Sequence, residues 1–376
     1  MSSSLPDTWF HASGRLLIDL NTIASNYRTL KEQMADKACG ACVKANCYGL
    51  GMDQIAPTLA NEGCEDFFVS FLEGGIKLRA ILPKARIHVF TGLSGGKPQD
   101  FVDYNLIPAL NSLGEIQEWS DYCSKTVTRH TADIQIDTGM QRLGLPQDEI
   151  ESVLNNPSLL GDLDIDLVFT HLACADTPSH PMNRQQLDYF TKVYERFGAN
   201  RASLANSSGI FLGSDYHFDL ARPGAALYGI NPILGKPSPM AQVVRLQGKI
   251  LQTRHVDTPQ SVGYGATHRI SEKGRIATVG VGYADGYLRS LSEGSLAHIG
   301  DIPVPVVGRV SMDMITLDIS NVPEHMCSPG MIVDLIGPHQ GVDTLAEKAG
   351  TIGYEILTSL GGRYYRTYLD GNEESG

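Results

Sequence analysis

Short apolar runs alternate with longer amphipathic stretches as far as residue 222. The runs are CGACVKA (39–45), DFFVS (66–70), RIHVFT (86–91), LIPAL (106–110), ADIQIDT (132–138), DLVFTHL (166–172), RASLANS (201–207) and FDLAR (218–222). Between them, segments such as EGGIKLRAIL (73–82) and NRQQLDYFTKVYERF (183–197) carry apolar residues at helical spacing. Strand–helix alternation repeated eight times predicts an α/β fold, a TIM-like (β/α)8 barrel. From about residue 236 the pattern changes to Val- and Ile-rich runs broken by Gly and Pro: MAQVVRLQGKILQTRHV, GRIATVGVGYADG, IPVPVVGRVSMDMITLDI and GMIVDLIG. These predict a β-rich C-terminal domain. The boundaries are 12–235 for the barrel and 236–370 for the β domain, with residues 12–20, around RLLIDL, open to pairing with the second domain. DTLAEKAGTIGYEILTSLG (343–361) predicts a helix and then a shorter one, and the polar tail 371–376 is expected to be disordered.

On a barrel the C-terminal strand ends converge on one mouth, where active sites form. The polar residues that interrupt the apolar runs collect at those ends: Lys44, Arg142, His171, Asn206, Ser207 and Arg222. An ammonium group at the end of an apolar strand points to Schiff-base chemistry, since desolvated lysines act as imine formers and bases. Taken alone, Lys44 fits a structural salt bridge equally well. In ARPGAALYG (221–229), Pro223 and Gly224 open a turn whose free N–H groups suit a phosphate. A phosphate site after the last strand, with a lysine across the mouth, is the layout a pyridoxal phosphate enzyme needs.

Composition narrows the class further. The chain has 376 residues, 42% hydrophobic and 19% charged, with a formal net charge of −12. That charge argues against non-specific binding to nucleic acid or an anionic membrane and favours a small-molecule function. No apolar run approaches the roughly 20 residues that span a bilayer. MSSSLPDTWFHASGR lacks the basic start and apolar stretch of a signal peptide. Seven cysteines, an odd number at scattered positions, suit a reducing compartment, so a cytoplasmic location is expected. Cys39 and Cys42 form a lone C-x-x-C, a weak redox signal inside an apolar strand.

The chain resembles the barrel-fold, pyridoxal phosphate-dependent alanine racemases over nearly its whole length. The resemblance is carried by VKANCYGLG (43–51), IDTGMQRLG (136–144), HLACADTP (171–178), ANSSG (205–209), ARPGAALYG, SVGYGATH (261–268), GVGYADGYLR (280–289) and VGRVSMDM (307–314). It implies interconversion of L- and D-alanine by two bases, supplying D-alanine for peptidoglycan. Lys44 would bind the cofactor and serve one face of the substrate, and Tyr264 would serve the other. Inversion at Cα requires a base on each face, and tyrosine, with a reference pKa of about 10, needs cationic or hydrogen-bonding neighbours to act as one. The resemblance further implies phosphate contacts from Tyr48, Ser207, Gly224 and Tyr354, with Asn206 adjacent. It places Arg222 against the pyridine nitrogen, His171 in a polar network, and Arg142, Met312 and Asp313 near the substrate. Tyr264, Tyr283, Met312 and Asp313 would come from a partner subunit, which implies a head-to-tail homodimer with shared active sites.

One position departs from the family pattern. Many members carry a carbamylated lysine seven residues before the arginine of RLG; here Gln135 stands there. An amide cannot be carbamylated, so Arg142 lacks that negative partner, and a bound anion such as chloride or a broader substrate range is the expected consequence. The alternatives are therefore a serine/alanine racemase, a barrel-fold amino-acid decarboxylase or D-amino-acid lyase, and a non-enzymatic pyridoxal phosphate carrier. Relatives of the last kind are single barrels, and the second domain argues against it. His325 and Cys327 form an H-x-C pair, but two ligands are too few for a zinc site, and no metal is expected.

Overall fold

The computed structural model describes residues 8–370 except Gly95, Val127, Asp162, Thr258 and Glu293. The tail expected to be disordered lies outside the described residues. Two compact units are present: residues 23–241, and residues up to Thr22 together with those from Gln242 onward.

In chain order, strand β1 (Gly14–Asp19) precedes the strands of the first unit. These are β2 (Ala38–Cys39), β3 (Ala41–Cys42), β4 (Asp66–Val69), β5 (Arg86–Val89), β6 (Ile107–Leu110), β7 (Thr131–Gln135), β8 (Asp164–Phe169), β9 (Arg201–Ser203) and β10 (Leu220–Ala221). Strands β3 to β9 form one seven-stranded sheet, each parallel to the next. Closure follows from a break at Gly40. There β2 pairs with β10, whereas β3 pairs with β4. On its other side β10 is tied to the β9 segment by the Asp219 N–H donating to the Ala202 carbonyl and the Arg222 N–H donating to that of Ala205. The first predicted strand, 39–45, is thus two short pieces. At Gly40 a Cβ would stand 2.8 Å from the Asp66 carbonyl, so only glycine lets the chain change partners there.

Helices fill the connections where the pattern placed them, including Leu72–Ile81 and Pro181–Val193, the latter running into a 3-10 turn Tyr194–Phe197. The barrel interior is layered. Near the N-terminal strand ends lies a charged layer in which Asp66 accepts hydrogen bonds from Arg86 and Arg201, and His88 bridges Asp66 and Asp133. Above it Phe68 stacks on His88 with ring centres 4.5 Å apart, and Phe68, Phe169, Leu167 and Leu220 form an apolar layer.

The second unit contains β11 (Val244–Val256), β12 (Gln260–Val262), β13 (His268–Ile270), β14 (Gly274–Val279), β15 (Leu296–Ile299), β16 (Ile302–Pro305), β17 (Ile315–Asp318), β18 (Ile332–Ile336) and β19 (Tyr365–Leu369). Its spine is β11: the first half pairs antiparallel with β1 and β18, and beyond a register shift between Ile250 and Gln252 the second half pairs with β14. β1 also runs parallel to β19, with Leu16 and Ile18 buried beneath it. The helices Val342–Ala349 and Gly353–Ser359 complete this unit. Among the described residues no helix is long and apolar enough to cross a membrane.

Candidate active site

Lys44 lies just beyond β3, half-buried rather than enclosed. The four residues after it are in the left-handed region: Ala45 (φ 50°, ψ 43°), Asn46 (56°, 49°), Cys47 (55°, 52°) and Tyr48 (φ 55°). A left-handed turn costs L-residues roughly 1–2 kcal/mol each, so its persistence requires compensating bonds. The Cys47 N–H donates to the Val43 carbonyl, the Gly49 N–H to that of Ala45, and the Gly51 N–H to that of Asn46. The Asn46 side chain accepts from the Met52 N–H at 2.9 Å. Buried Tyr48 packs its ring 4.8 Å from that of Tyr228. Strain of this kind is concentrated at functional sites, and here it fixes the direction in which the chain leaves Lys44.

Tyr48 meets the segment after β10. A Cβ added at Gly224 would collide with the Tyr48 hydroxyl and lie 3.1 Å from Cys42 Cβ, so the glycine is what lets that hydroxyl sit against the backbone. Ser207 Oγ accepts from the Gly224 N–H at 2.9 Å and the Ala226 N–H at 3.2 Å. Its own proton remains free to donate to an anion. Asn206 Oδ1 accepts from the Gly209 N–H at 2.8 Å and pairs by its backbone with Arg222. Tyr48, Asn206, Ser207 and Gly224 are therefore brought together.

Arg222 is buried with its guanidinium carbon 4.7 Å above the Phe169 ring. Nη1 donates to Ser203 Oγ and Nη2 to the Thr170 carbonyl at 2.5 Å, while Nε has no partner among the described residues. Burial pulls its pKa down to about 10, which still leaves it protonated at neutral pH. His171, after β8, is pushed down to about 3, first by desolvation and then by the charges of Arg222, Arg142 and Lys44. Its imidazole is therefore neutral at physiological pH.

Arg142 is exposed, with no partner among the described residues. The loop beneath it is well held: the Asp137 carboxylate accepts from the N–H groups of Gly139, Met140 and Gln141, each at 2.8 Å. Gln135 is buried and donates to the Leu143 carbonyl at 3.1 Å. It braces the loop but brings no charge to Arg142.

The remaining candidates belong to the second unit. Tyr264 sits in the turn joining β12 to β13, between Gly263 (φ 75°) and Gly265 (φ 73°), and is 70% exposed. Tyr283 and Met312 are neighbours, since the Tyr283 and Ala284 N–H groups donate to the Ser311 and Met312 carbonyls. Asp313 accepts from Arg363 at 2.7 Å, and the same guanidinium binds buried Asp285. Tyr354 lies on the helix Gly353–Ser359, partly exposed. Elsewhere, the C-x-x-C thiols are both buried and unreactive, Cys39 pushed up to about 12 and Cys42 also raised, each chiefly by burial. In the H-x-C pair, Cys327 Sγ lies 3.5 Å from the Pro323 carbonyl.

Sequence reasoning missed two features of the site. The left-handed turn has only Asn46 and the nearby glycines as a local signal. Gln186, buried behind the loops that carry Arg142 and His171, reads in the sequence as one more polar residue of an amphipathic helix.

Residues 18–232 match the family model for the alanine racemase N-terminal domain, and residues 243–368 that for the alanine racemase C-terminal domain. The chain is 48% identical to the alanine racemase of Rhodospirillum rubrum, covering 97% of this chain and 98% of the relative. It is 46% identical to the catabolic alanine racemase of Mesorhizobium japonicum, with 96% and 94% covered. The crystal structure of alanine racemase from Bartonella henselae with covalently bound pyridoxal phosphate matches with a TM-score of 0.92 at 39% identity, over 95% of this chain and 100% of that one.

Proposed function

This chain belongs to the alanine racemase family, and on that premise we infer that it interconverts L- and D-alanine as a pyridoxal phosphate-dependent isomerase. The residues of the mouth fit the cofactor. The Tyr48 and Ser207 hydroxyls that meet at Gly224 suit a phosphate, and the unpartnered, buried Nε–H of Arg222 is a donor awaiting an acceptor such as a ring nitrogen. Pyridoxal phosphate, when bound, supplies an aldehyde that captures amines and an electron-withdrawing ring that acidifies the substrate Cα–H. Lys44 is the amine that anchors it. Lys44 and Tyr264 then remove and return the Cα proton on opposite faces, which inverts the centre. Arg222 stays protonated at neutral pH, His171 stays neutral, and exposed Arg142 is available to a substrate carboxylate or another anion. The family resemblance is what assigns Met312 and Asp313 to the substrate and Tyr354 to the phosphate. The meeting of Tyr48, Ser207 and Gly224 beyond the barrel strands is the observation that carries this reading.

The active unit we propose is a head-to-tail homodimer, each barrel mouth completed by the other chain's Tyr264, Tyr283, Met312 and Asp313. Supporting this, Tyr264, Met312, Met314 and Tyr283 are large apolar side chains left 70%, 54%, 44% and 43% exposed, and such surfaces mark interaction sites. The seven free cysteines suit a cytoplasmic enzyme supplying D-alanine for peptidoglycan.

A broader amino-acid racemase is the second reading, favoured by Gln135, which gives Arg142 no carboxylate partner. Purified protein with pyridoxal phosphate in heavy water, offered L-alanine and L-serine separately, distinguishes the two. We expect deuterium entry at Cα and loss of optical activity to run together on alanine. Comparable rates on serine would establish the broader reading, and exchange without inversion would remove Tyr264 from the mechanism.

A further inference from the structure

We propose that Gln186 is a positioning residue that locks the loops carrying Arg142 and His171 to each other and to Arg222. It lies on the helix Pro181–Val193 with no exposed surface. Nε2 donates to Thr138 Oγ1 at 3.0 Å and to the His171 carbonyl at 2.9 Å, and Oε1 accepts from the Ala173 N–H at 2.9 Å. Both amide protons and the carbonyl are thus committed to the ends of β7 and β8, on either side of Leu172. The connection continues inward. Thr138 and Thr170 hydroxyls lie 2.9 Å apart, and the Thr170 carbonyl accepts from Arg222 Nη2. Because Thr138 Oγ1 accepts from Gln186, its own proton is free to reach Thr170. One amide therefore fixes the backbone of His171 directly and reaches Thr170, whose carbonyl receives Arg222, through the two threonine hydroxyls. A leucine or methionine would fill the same space; only an amide supplies two donors and an acceptor at once.

The inference rests on the racemase reading above. Its test compares Gln186→Met, which keeps the volume, with Leu187→Ala, which opens a cavity at the neighbouring buried position of the same helix without touching these bonds. Both are assayed as pyridoxal phosphate holoenzyme well below their melting temperatures. Displacements of about 1 Å in supporting groups cost on the order of 10- to 100-fold. We expect Q186M to lose that much kcat, with a smaller change in KM and an altered circular dichroism band of the bound cofactor. L187A should melt earlier yet keep kcat within about twofold. Wild-type kcat and an unaltered cofactor band in Q186M would overturn the proposal, as would an equal loss of kcat in L187A. If Q186M does not fold, Thr138→Val takes its place: a several-fold fall in kcat supports the clamp and an unchanged kcat refutes it. Failure of the wild-type enzyme to racemise alanine would count against the racemase reading instead.

Discussion

His88 has no exposed surface, yet both ring nitrogens face carboxylates, Nδ1 2.6 Å from Asp133 and Nε2 3.1 Å from Asp66. Burial alone would depress its pKa, but the charge and hydrogen bond of Asp133, followed by those of Asp66, outweigh it and lift the group to about 9. Because the folded value lies above the ordinary one of about 6.5, the imidazolium stabilises the fold fully below that pH. The contribution is lost as pH rises through 9. The melting temperature should therefore fall between about pH 7 and 10, and in His88→Gln that alkaline slope should flatten from a lower neutral value. Parallel slopes in the two proteins would mean that His88 is neutral in the fold. At this scale sequence and structure diverge in a physical way. Lys44, Ser207 and Arg222 are legible because they interrupt apolar runs at strand ends. Gln186, Thr138 and Thr170 act through other residues, and nothing in their spacing separates them from ordinary helix and loop polarity.

At the scale of elements, the stretch 39–45 reads as one strand, and its apolar character is real: Ala41, Cys42 and Val43 are buried. The pattern cannot show that Gly40 changes the pairing partner or that the chain turns left-handed after Lys44, since both depend on neighbours distant in sequence. The turn makes its own prediction. Ala45 is exposed at φ 50°, so its methyl group adds strain and little packing. Relief of roughly 1–2 kcal/mol, less glycine's entropic cost of about 0.5–1, should make Ala45→Gly slightly more stable than wild type. Ala45→Val should be clearly less stable. Thermal melts of the two holoenzymes check the pair, and a lower melting temperature in A45G would show that the methyl group holds the turn.

For the whole molecule, the change of hydrophobic pattern near residue 236 points to a β-rich unit after the barrel, and the strand–helix rhythm to a parallel barrel, in which β3 to β9 form one seven-stranded sheet and β10 pairs with β2. The proposed assembly rests on the resemblance, because no single chain's pattern encodes which copy covers which mouth. If each site draws Lys44 from one chain and Tyr264 from the other, Lys44→Ala and Tyr264→Phe homodimers should each be nearly inactive. Mixing them under subunit exchange should restore activity, since the hybrid carries one intact site. An equal mixture should approach about one quarter of wild-type turnover. Absence of restoration, with hybrids verified by mass, would place both bases in one chain.

Residues 45–48 occupy backbone angles that are the mirror image of a right-handed helix. For a D-amino acid those same angles are the relaxed ones. A chain assembled by chemical ligation with D-alanine at position 45 would lose the steric penalty carried by the L-form. The handedness of this enzyme's own building blocks is thus least constrained beside the lysine proposed to invert the handedness of its substrate.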